Sequence, residues 1–384
     1  MNSTIQNFLP EQYQKTGALE INHNYLHQQF FDHDEILSKI RNVVINGDFT
    51  LGKEVDLLEK EYAEICGAQH AIGVGSGTDA LFLSLKAIDI DKGDEVITTP
   101  FTFYATVGAI VTSGAKPVFV DAGDDYNINP DLIERAITPR TKAIMPVYWS
   151  GKPCDLDAIE NIASKYNLAI IADACHGILA TYKGKKIGGL GTTACYSFHP
   201  LKNLNVWGDG GIITTNSIEI ANKLRLLRNH GLISRDECQV FGYNSRLDTI
   251  QAVVARHMLQ KIEFITQTRV SNASVLDEKL KNIHQIKIPR RETNIFQVYH
   301  LYMVLCEQRD ELQKYLIQHG VDAKIHYPIP LHLQPAARSL GYKIGDFPVA
   351  ENISKNTLSI PVHEFITLEQ LNKISDLIGK FYEK

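Results

Sequence analysis

Lys202 stands in the stretch Cys195-Tyr-Ser-Phe-His-Pro-Leu-Lys202-Asn-Leu-Asn-Val-Trp-Gly-Asp-Gly-Gly-Ile-Ile-Thr-Thr215. The pattern predicts a short apolar strand, a tight turn carrying Ser197 and Lys202, and a glycine-rich return into a strand over 211–215. Flanked by Phe198, Pro200 and Leu201, the lysine can lose part of its hydration. Desolvation lowers an ammonium pKa and frees the amine to attack an aldehyde. Most lysines stay solvated, so this residue alone carries little weight. Asp173 changes that. It ends the run Leu168-Ala-Ile-Ile-Ala172, a buried-strand pattern that puts the carboxylate at a strand's C-terminal edge. A lysine for a Schiff base and an acid for a pyridinium nitrogen are the two groups that pyridoxal phosphate chemistry needs.

These residues need a scaffold, and composition bounds it. A chain of 384 residues with 44% hydrophobic content can bury a large core and form two domains. A net charge of -5 with 22% charged residues gives no electrostatic case for nucleic acid. Six cysteines (66, 154, 175, 195, 238 and 306) contain no C-x-x-C pair, which predicts reduced thiols in the cytoplasm and neither zinc nor a disulfide framework. No apolar run reaches membrane-spanning length, and the first residues lack the pattern of a signal peptide. No metal site is expected: there is no H-E-x-x-H, and His326 and His332 are six residues apart, a spacing without a metal signature.

Residues 1–22 are polar without a sustained period and are expected to be an extension. Helices are predicted over about 32–45, with Asp34 as a cap, and over 53–66. From residue 71 short apolar runs alternate with helices. Strands are expected at 71–74, 95–99, 117–121, 142–149, 168–173, 194–198 and 211–215, with helices at 79–87, 104–111 and 155–166 between them. This alternation predicts an α/β fold, a mainly parallel, doubly wound seven-stranded sheet sandwiched by helices, with ligands at the strands' carboxyl ends. The sheet and its helices make a large domain over 23–255. A long helix from 255 to about 282 opens a smaller C-terminal α/β domain over 256–384, with strands near 298–306 and 323–325 and a last helix at 368–382.

The loop Gly73-Val-Gly-Ser-Gly-Thr78 follows a strand and opens a helix, so its N–H groups can hold a phosphate. Its sixth position is Thr78, and Asp94 and Glu95 follow the turn-like Lys92-Gly93 where a dinucleotide fingerprint would have an acid closing a second strand. A phosphate site is favoured over a dinucleotide site, and a structural glycine turn stays open.

Motifs in order along the chain carry a family resemblance. They are Gly47-Asp-Phe-Thr-Leu-Gly52, Gly75-Ser-Gly-Thr-Asp-Ala-Leu81, Thr99-Pro-Phe-Thr-Phe103, Asp173-Ala-Cys-His176, Ser197-Phe-His-Pro-Leu-Lys202-Asn, Gly208-Asp-Gly-Gly211, Gly242-Tyr-Asn-Ser-Arg-Leu247 and His326-Tyr-Pro-Ile-Pro-Leu-His332. From about residue 21 to the C-terminus the chain resembles the DegT/DnrJ/EryC1/StrS family of fold-type I, pyridoxal 5'-phosphate-dependent sugar aminotransferases. The resemblance implies that Lys202 binds the cofactor covalently and shuttles a proton, while Asp173 keeps the pyridine nitrogen protonated. It implies that Phe103 stacks on the ring, with core packing as the alternative, and that His176 lies near the phenolic oxygen. Gly77, Thr78 and Ser197 would bind the phosphate. Asn244 would reach the phosphate of the neighbouring subunit in a homodimer with shared active sites. Trp149, His326 and His332 would face the substrate.

Two departures concern that substrate: relatives commonly show Tyr-Gly where Trp149-Ser150 stands, and Ala or Leu in place of Asn205-Val-Trp207. The expected reaction converts a keto sugar, nucleotide-linked, to an amino sugar with an amino-acid donor, L-glutamate, for surface polysaccharide or secondary-metabolite biosynthesis. The alternatives are an unactivated keto sugar such as an oxidised 3-deoxy-octulosonate, a pyridoxal phosphate-dependent sugar dehydratase, or a non-catalytic regulatory homologue. Members of the dehydratase type carry His at the lysine position, and the Lys202/Asp173 pair also speaks against a protein without turnover. A nicotinamide dehydrogenase is the remaining reading of the glycine loop.

Overall fold

The alternation of apolar runs and amphipathic helices produces three layers. In a computed structural model describing residues 19–23 and 25–383, helices α1 (Leu26–Gln29), α2 (His33–Asn46) and α3 (Lys53–Cys66) lead into strand β1 (His70–Val74) and helix α4 (Gly77–Ala87). There follow β2 (Glu95–Thr98), α5 (Tyr104–Thr112), β3 (Lys116–Phe119), α6 (Ile133–Ala136), β4 (Thr141–Ile144), α7 (Leu156–Tyr166) and β5 (Ala169–Asp173). A hairpin of β6 (Thr181–Tyr182) and β7 (Lys185–Lys186) precedes β8 (Thr193–Ser197), β9 (Gly211–Thr215) and α8 (Ile218–Leu227). The seven long strands form one sheet in the order β1-β9-β8-β5-β4-β2-β3. Only β9 runs antiparallel to its neighbours; the other pairs are parallel. Both faces are covered, which is why these strands read as continuous apolar runs and not as alternating ones. The expected α/β class and mainly parallel seven-stranded sheet are those of the folded chain.

The expected strand over 142–149 stops early. Pro146 has no N–H to give to a ladder, so β4 ends at Ile144 and the chain continues by single contacts, Met145 N–H to Ile97 O (2.7 Å) and a bridge from Val147 to Asp173. Trp149–Gly151 then forms a 3₁₀ turn in which Ser150 has φ of +57°. This backbone region suits glycine better than serine, and the structure holds it by Gln297 Nε2 donating to Ser150 Oγ (3.3 Å) and His300 N–H donating to Ser150 O (3.1 Å).

Beyond β9 the expected long helix is two, α9 (Thr249–Leu259) and α10 (Ile262–Leu280). The chain then adds β10 (Ile286–Lys287), β11 (Ile295–Phe296), β12 (Tyr302–Cys306), α11 (Arg309–Gln318), α12 (Pro348–Asn356), β13 (Thr357–Ile360) and α13 (Leu368–Tyr382). β10, β12 and β13 form a second, antiparallel sheet. It packs on α10, α11 and α13 around Tyr302, Val304, Leu316, Leu358 and Ile374. Residues 323–325 are not a strand: they give one bridge, Lys324 to Ser359, and β13 takes the third place. The last helix has the predicted bounds, opened by a capping box of Thr367 and Gln370.

Of the expected extension, residues 1–18 lie outside the described residues. Ile21 is buried in the second core, where its N–H donates to Gly320 O (2.9 Å). Among the described residues no helix is long and apolar enough to cross a membrane.

One buried ion pair locks the sheet edge to the helix layer. Glu59 of α3 accepts from Gly73 N–H (2.8 Å) and from Arg228, which also donates to Gly73 O (2.8 Å). Both residues are at most 9% exposed, so removing Glu59 leaves the Arg228 charge without its counter-ion in low dielectric. Glu59→Ala is therefore expected to cost about 3 kcal/mol of stability. Urea denaturation checks this, and a loss below about 1 kcal/mol would mean that the pair is not uncompensated when broken.

Candidate active site

The β8 strand delivers Ser197 at its C-terminal end, and the chain turns at once. His199 N–H donates to Ser197 Oγ (3.2 Å), Lys202 N–H to His199 O (2.8 Å), and Val206 N–H to Phe198 O (2.9 Å). Asn203 Nδ2 donates across to Val298 O (3.1 Å). Lys202 is thereby held half-buried on a small cleft that Tyr62, Cys175, His176 and Ser197 also line. Burial pushes its ammonium pKa down, and nearby Cys175 and Asp173 partly oppose this.

Asp173 ends β5 directly beside Cys195 of β8. Its carboxylate is buried and takes two donors, Thr106 Oγ1 on Oδ2 (2.7 Å) and Cys175 N–H on Oδ1 (3.3 Å). Thr106 and Thr102 share a further hydrogen bond (2.7 Å). Thr106 lies in the first turn of α5, which directly follows the motif ending at Phe103, and no local pattern marks its hydroxyl as a donor to Asp173.

The glycine loop supplies a third part. Ser76 caps α4 by accepting from Asp79 N–H (3.0 Å), and the N–H groups of the first turn have no acceptor inside the helix. A Cβ on Gly77 would meet Ser197 Cβ at 2.6 Å, and one on Gly211 would meet Ser76 O at 2.3 Å. Only glycine lets these backbones approach so closely, and the result gathers Gly77, Thr78 and Ser197 at one helix start.

His176 follows Asp173 by one turn and is buried. Its ring packs on His300 (centroids 4.3 Å apart) and on Trp149 (5.3 Å), and Trp149 packs on Tyr327 (4.8 Å). His326 is adjacent to Tyr327 (6.1 Å) and accepts from or donates to Ser359 Oγ through Nδ1 (2.7 Å). Burial depresses all three imidazoles, His176 and His300 well below the usual range and His326 to about 4, with the Lys202 charge adding to it. The set is neutral at pH 7. His300 and Tyr327 are members to which sequence reasoning gave no role: His300 lies outside every motif singled out, and Tyr327 stands inside one, next to His326.

Phe103, Asn244 and His332 do not line the cleft at Lys202. Phe103 is about half exposed and contacts Tyr104 and Tyr327 (5.3 and 5.9 Å), not His176. Asn244 is exposed and bridges Asn229, outside the residues lining the cleft. His332 is buried against Phe347 (4.8 Å) and bonded to Glu351 (3.1 Å), so its ring is engaged apart from the group around Lys202. A larger cavity, lined by Tyr148, Leu156, Ile170, Tyr182 and Leu190, is also separate from Lys202.

A flat heteroaromatic ring bearing a phosphate fits this donor set. His176 Nδ1 is buried without a partner, the helix start offers N–H groups, and an amine and a carboxylate flank the cleft.

Comparison with known proteins agrees. The sequence model of the DegT/DnrJ/EryC1/StrS aminotransferase family matches residues 31–378. The chain is 42% identical over 353 residues to the pleiotropic regulatory protein of Geobacillus stearothermophilus, covering 91% of this chain and 94% of that one. It is 41% identical over 334 residues to the UDP-2-acetamido-2-deoxy-3-oxo-D-glucuronate aminotransferase of Pseudomonas aeruginosa, covering 87% and 92%. Among solved structures, S. venezuelae DesV in complex with a ketimine intermediate superposes with a TM-score of 0.93 at 36% identity, covering 95% of this chain and 99% of that one.

The buried imidazoles make stability depend on pH. Their folded pKa values lie below the unfolded value of about 6.5, so the unfolded chain binds protons first and stability falls as pH drops from there. With His326 depressed to about 4, His326→Gln should remove on the order of 2 kcal/mol of that loss between pH 6.5 and 4. Urea denaturation at both pH values measures it; parallel curves for the two proteins would contradict the assignment.

Proposed function

This chain belongs to the DegT/DnrJ/EryC1/StrS aminotransferase family, a family of pyridoxal phosphate-dependent transaminases, and from that premise we propose that it aminates a nucleotide-linked keto sugar at Lys202 and Asp173. The observation that carries this reading is the convergence of a desolvated amine and a buried carboxylate at the ends of adjacent strands, β8 and β5. Pyridoxal phosphate, when bound, supplies a carbonyl that exchanges amino groups and a pyridinium ring that accepts carbanion charge.

The chain's own groups do the rest. Lys202 Nζ would hold the cofactor covalently and, as a free amine, would move a proton between the two carbons that trade amino and keto states. Asp173, its carboxylate fixed by Thr106 and the Cys175 N–H, would keep the proton on the pyridine nitrogen. Gly77, Thr78 and Ser197 take the phosphate at the helix start, where N–H groups and the helix dipole favour an anion. Ser197 Oγ already accepts from His199 N–H, which leaves its own proton to donate. His176, whose Nδ1 is buried without a partner, would lie beside the cofactor's phenolic oxygen, and Trp149 and His326 would face the sugar.

The name of the P. aeruginosa relative, a UDP-sugar aminotransferase, supports a nucleotide carrier, and glutamate is the amino donor we expect. The name of the G. stearothermophilus relative keeps a regulatory role as a second reading. Turnover of any keto sugar separates the two. We further infer a homodimer in which Asn244 reaches the partner's phosphate. Supporting it, Asn244 is exposed beside Phe241 (99% exposed) and Tyr104 is about half exposed.

Borohydride reduction of the loaded protein should leave a pyridoxyl group on Lys202, read by peptide mapping. The same group on another lysine would sink the assignment. Incubating the pyridoxamine phosphate form with a panel of nucleotide-linked and free keto sugars should give amino sugar only with the former.

Asp173→Asn keeps the shape and removes the anion, so turnover should drop by roughly two or more orders of magnitude. A rate within a few-fold of wild type would exclude the electron-sink role.

A further inference from the structure

Asn205 is fully buried three residues after Lys202. Its Nδ2 donates to Pro200 O (2.5 Å), closing the turn that carries Lys202, and to Gln29 Oε1 (2.6 Å). Gln29 Nε2 donates in turn to Glu364 Oε1 (3.1 Å), and Glu364 Oε2 lies 3.5 Å from Arg269 Nη2. Arg269 Nη1 reaches the carbonyls of Tyr299 (3.2 Å) and His300 (3.3 Å), and its Nη2 contacts the Tyr25 hydroxyl. Asn205, Gln29, Glu364 and Arg269 are all at most 9% exposed.

The direction of this chain is fixed at both ends. Turning the Asn205 amide over would put its oxygen against two acceptors, Pro200 O and Gln29 Oε1, at hydrogen-bond distance. Turning Gln29 over would set its oxygen against the Glu364 carboxylate. Each amide can therefore stand only one way, with donors aimed at the anion. The network reaches the cleft at two points: one end closes the Lys202 turn, and the other holds the backbone of His300, whose ring packs on His176.

We propose that Asn205 is a positioning residue for Lys202, fixing its turn through Pro200 and tying that turn through Gln29 and Glu364 to Arg269. This rests on the reading of Lys202 as the cofactor lysine. An apolar residue at 205 would leave Pro200 O without this donor and Gln29 Oε1 without its partner. The turn would loosen and water would reach the amine. The groups facing Lys202 are Asp173 and Cys175 at the end of β5, His199 in its own turn, and His176, His300 and His326 across the cleft. None of them is changed by a substitution at 205, so hydration is the variable altered.

The test uses the full chain without cofactor. Acylation by acetic anhydride is followed at Lys202 by peptide mass spectrometry across pH, in wild type, Asn205→Leu, Gln29→Met and the double variant. Asn205→Leu should raise the labelling midpoint by about one pH unit, equivalent to roughly tenfold less free amine at neutral pH. Gln29→Met should shift it in the same direction by less, and the double variant should not exceed Asn205→Leu, because both act through one chain of bonds. Thermal unfolding is measured alongside, since a purely structural residue would lower the melting temperature and leave the midpoint alone. An unchanged midpoint in Asn205→Leu, or in Gln29→Met should the former not fold, would overturn the proposal. Additive shifts in the double variant would overturn the relay through Gln29. Borohydride mapping of loaded wild type tests the reading of Lys202 separately; an adduct elsewhere would remove that reading while the midpoints still decide whether Asn205 sets the turn.

Discussion

Everything at this site depends on keeping one amine short of water. An ammonium in bulk solvent is protonated and a poor nucleophile; burial raises the free energy of the charged form. Lys202 meets that condition because its turn is closed by backbone bonds to His199 and Phe198 and flanked by two other segments, Tyr62 of α3 and residues 174–178 after β5. The same burial would be prohibitive for a group with no anion near it. Asp173, on the neighbouring strand, supplies one and is held by Thr106 and the Cys175 N–H. The parallel pairing of β5 and β8 thus puts two groups with opposing demands at the same sheet edge.

A second constraint is neutrality. Three imidazoles around the cleft are depressed by burial and by the Lys202 charge. They can present ring faces and nitrogen donors or acceptors without adding positive charge. A protonated histidine there would compete with Lys202 for Asp173. Aromatic packing among Trp149, Tyr327, His176 and His300 holds their planes at fixed distances, giving the cleft a rigid, uncharged wall suited to a flat ring or a sugar face.

The backbone makes its own contribution. β1, the glycine loop and β9 approach too closely for a side chain at Gly77 or Gly211. The Glu59–Arg228 pair fixes Gly73, the first residue of that loop. Ser150 shows the complementary case, a serine in a left-handed conformation stabilised by hydrogen bonds to Gln297 and Leu301. Its neighbour Trp149 is thereby directed into the aromatic group.

Read alone, the sequence determined the seven strands, the turn at Lys202, the acid at the end of a buried run and the glycine loop. Each is encoded locally: apolar runs of strand length, a Pro-flanked lysine, glycines between strand and helix. Local pattern also misled where local and tertiary demands part. Pro146 truncated β4, the helix after residue 255 broke near 260, and the third strand of the second sheet formed at 357–360 in place of 323–325. Only the tertiary structure decided which side chains would serve the cleft. Thr106 meets Asp173 across 67 positions, Asn205 meets Gln29 across 176, and Gln29 meets Glu364 across 335. It likewise took His332 away to Glu351 and brought His300 to His176. The physical reason is range: periodicity records which face of an element is buried, whereas a hydrogen bond between distant residues exists only once the packing of whole layers has set its length.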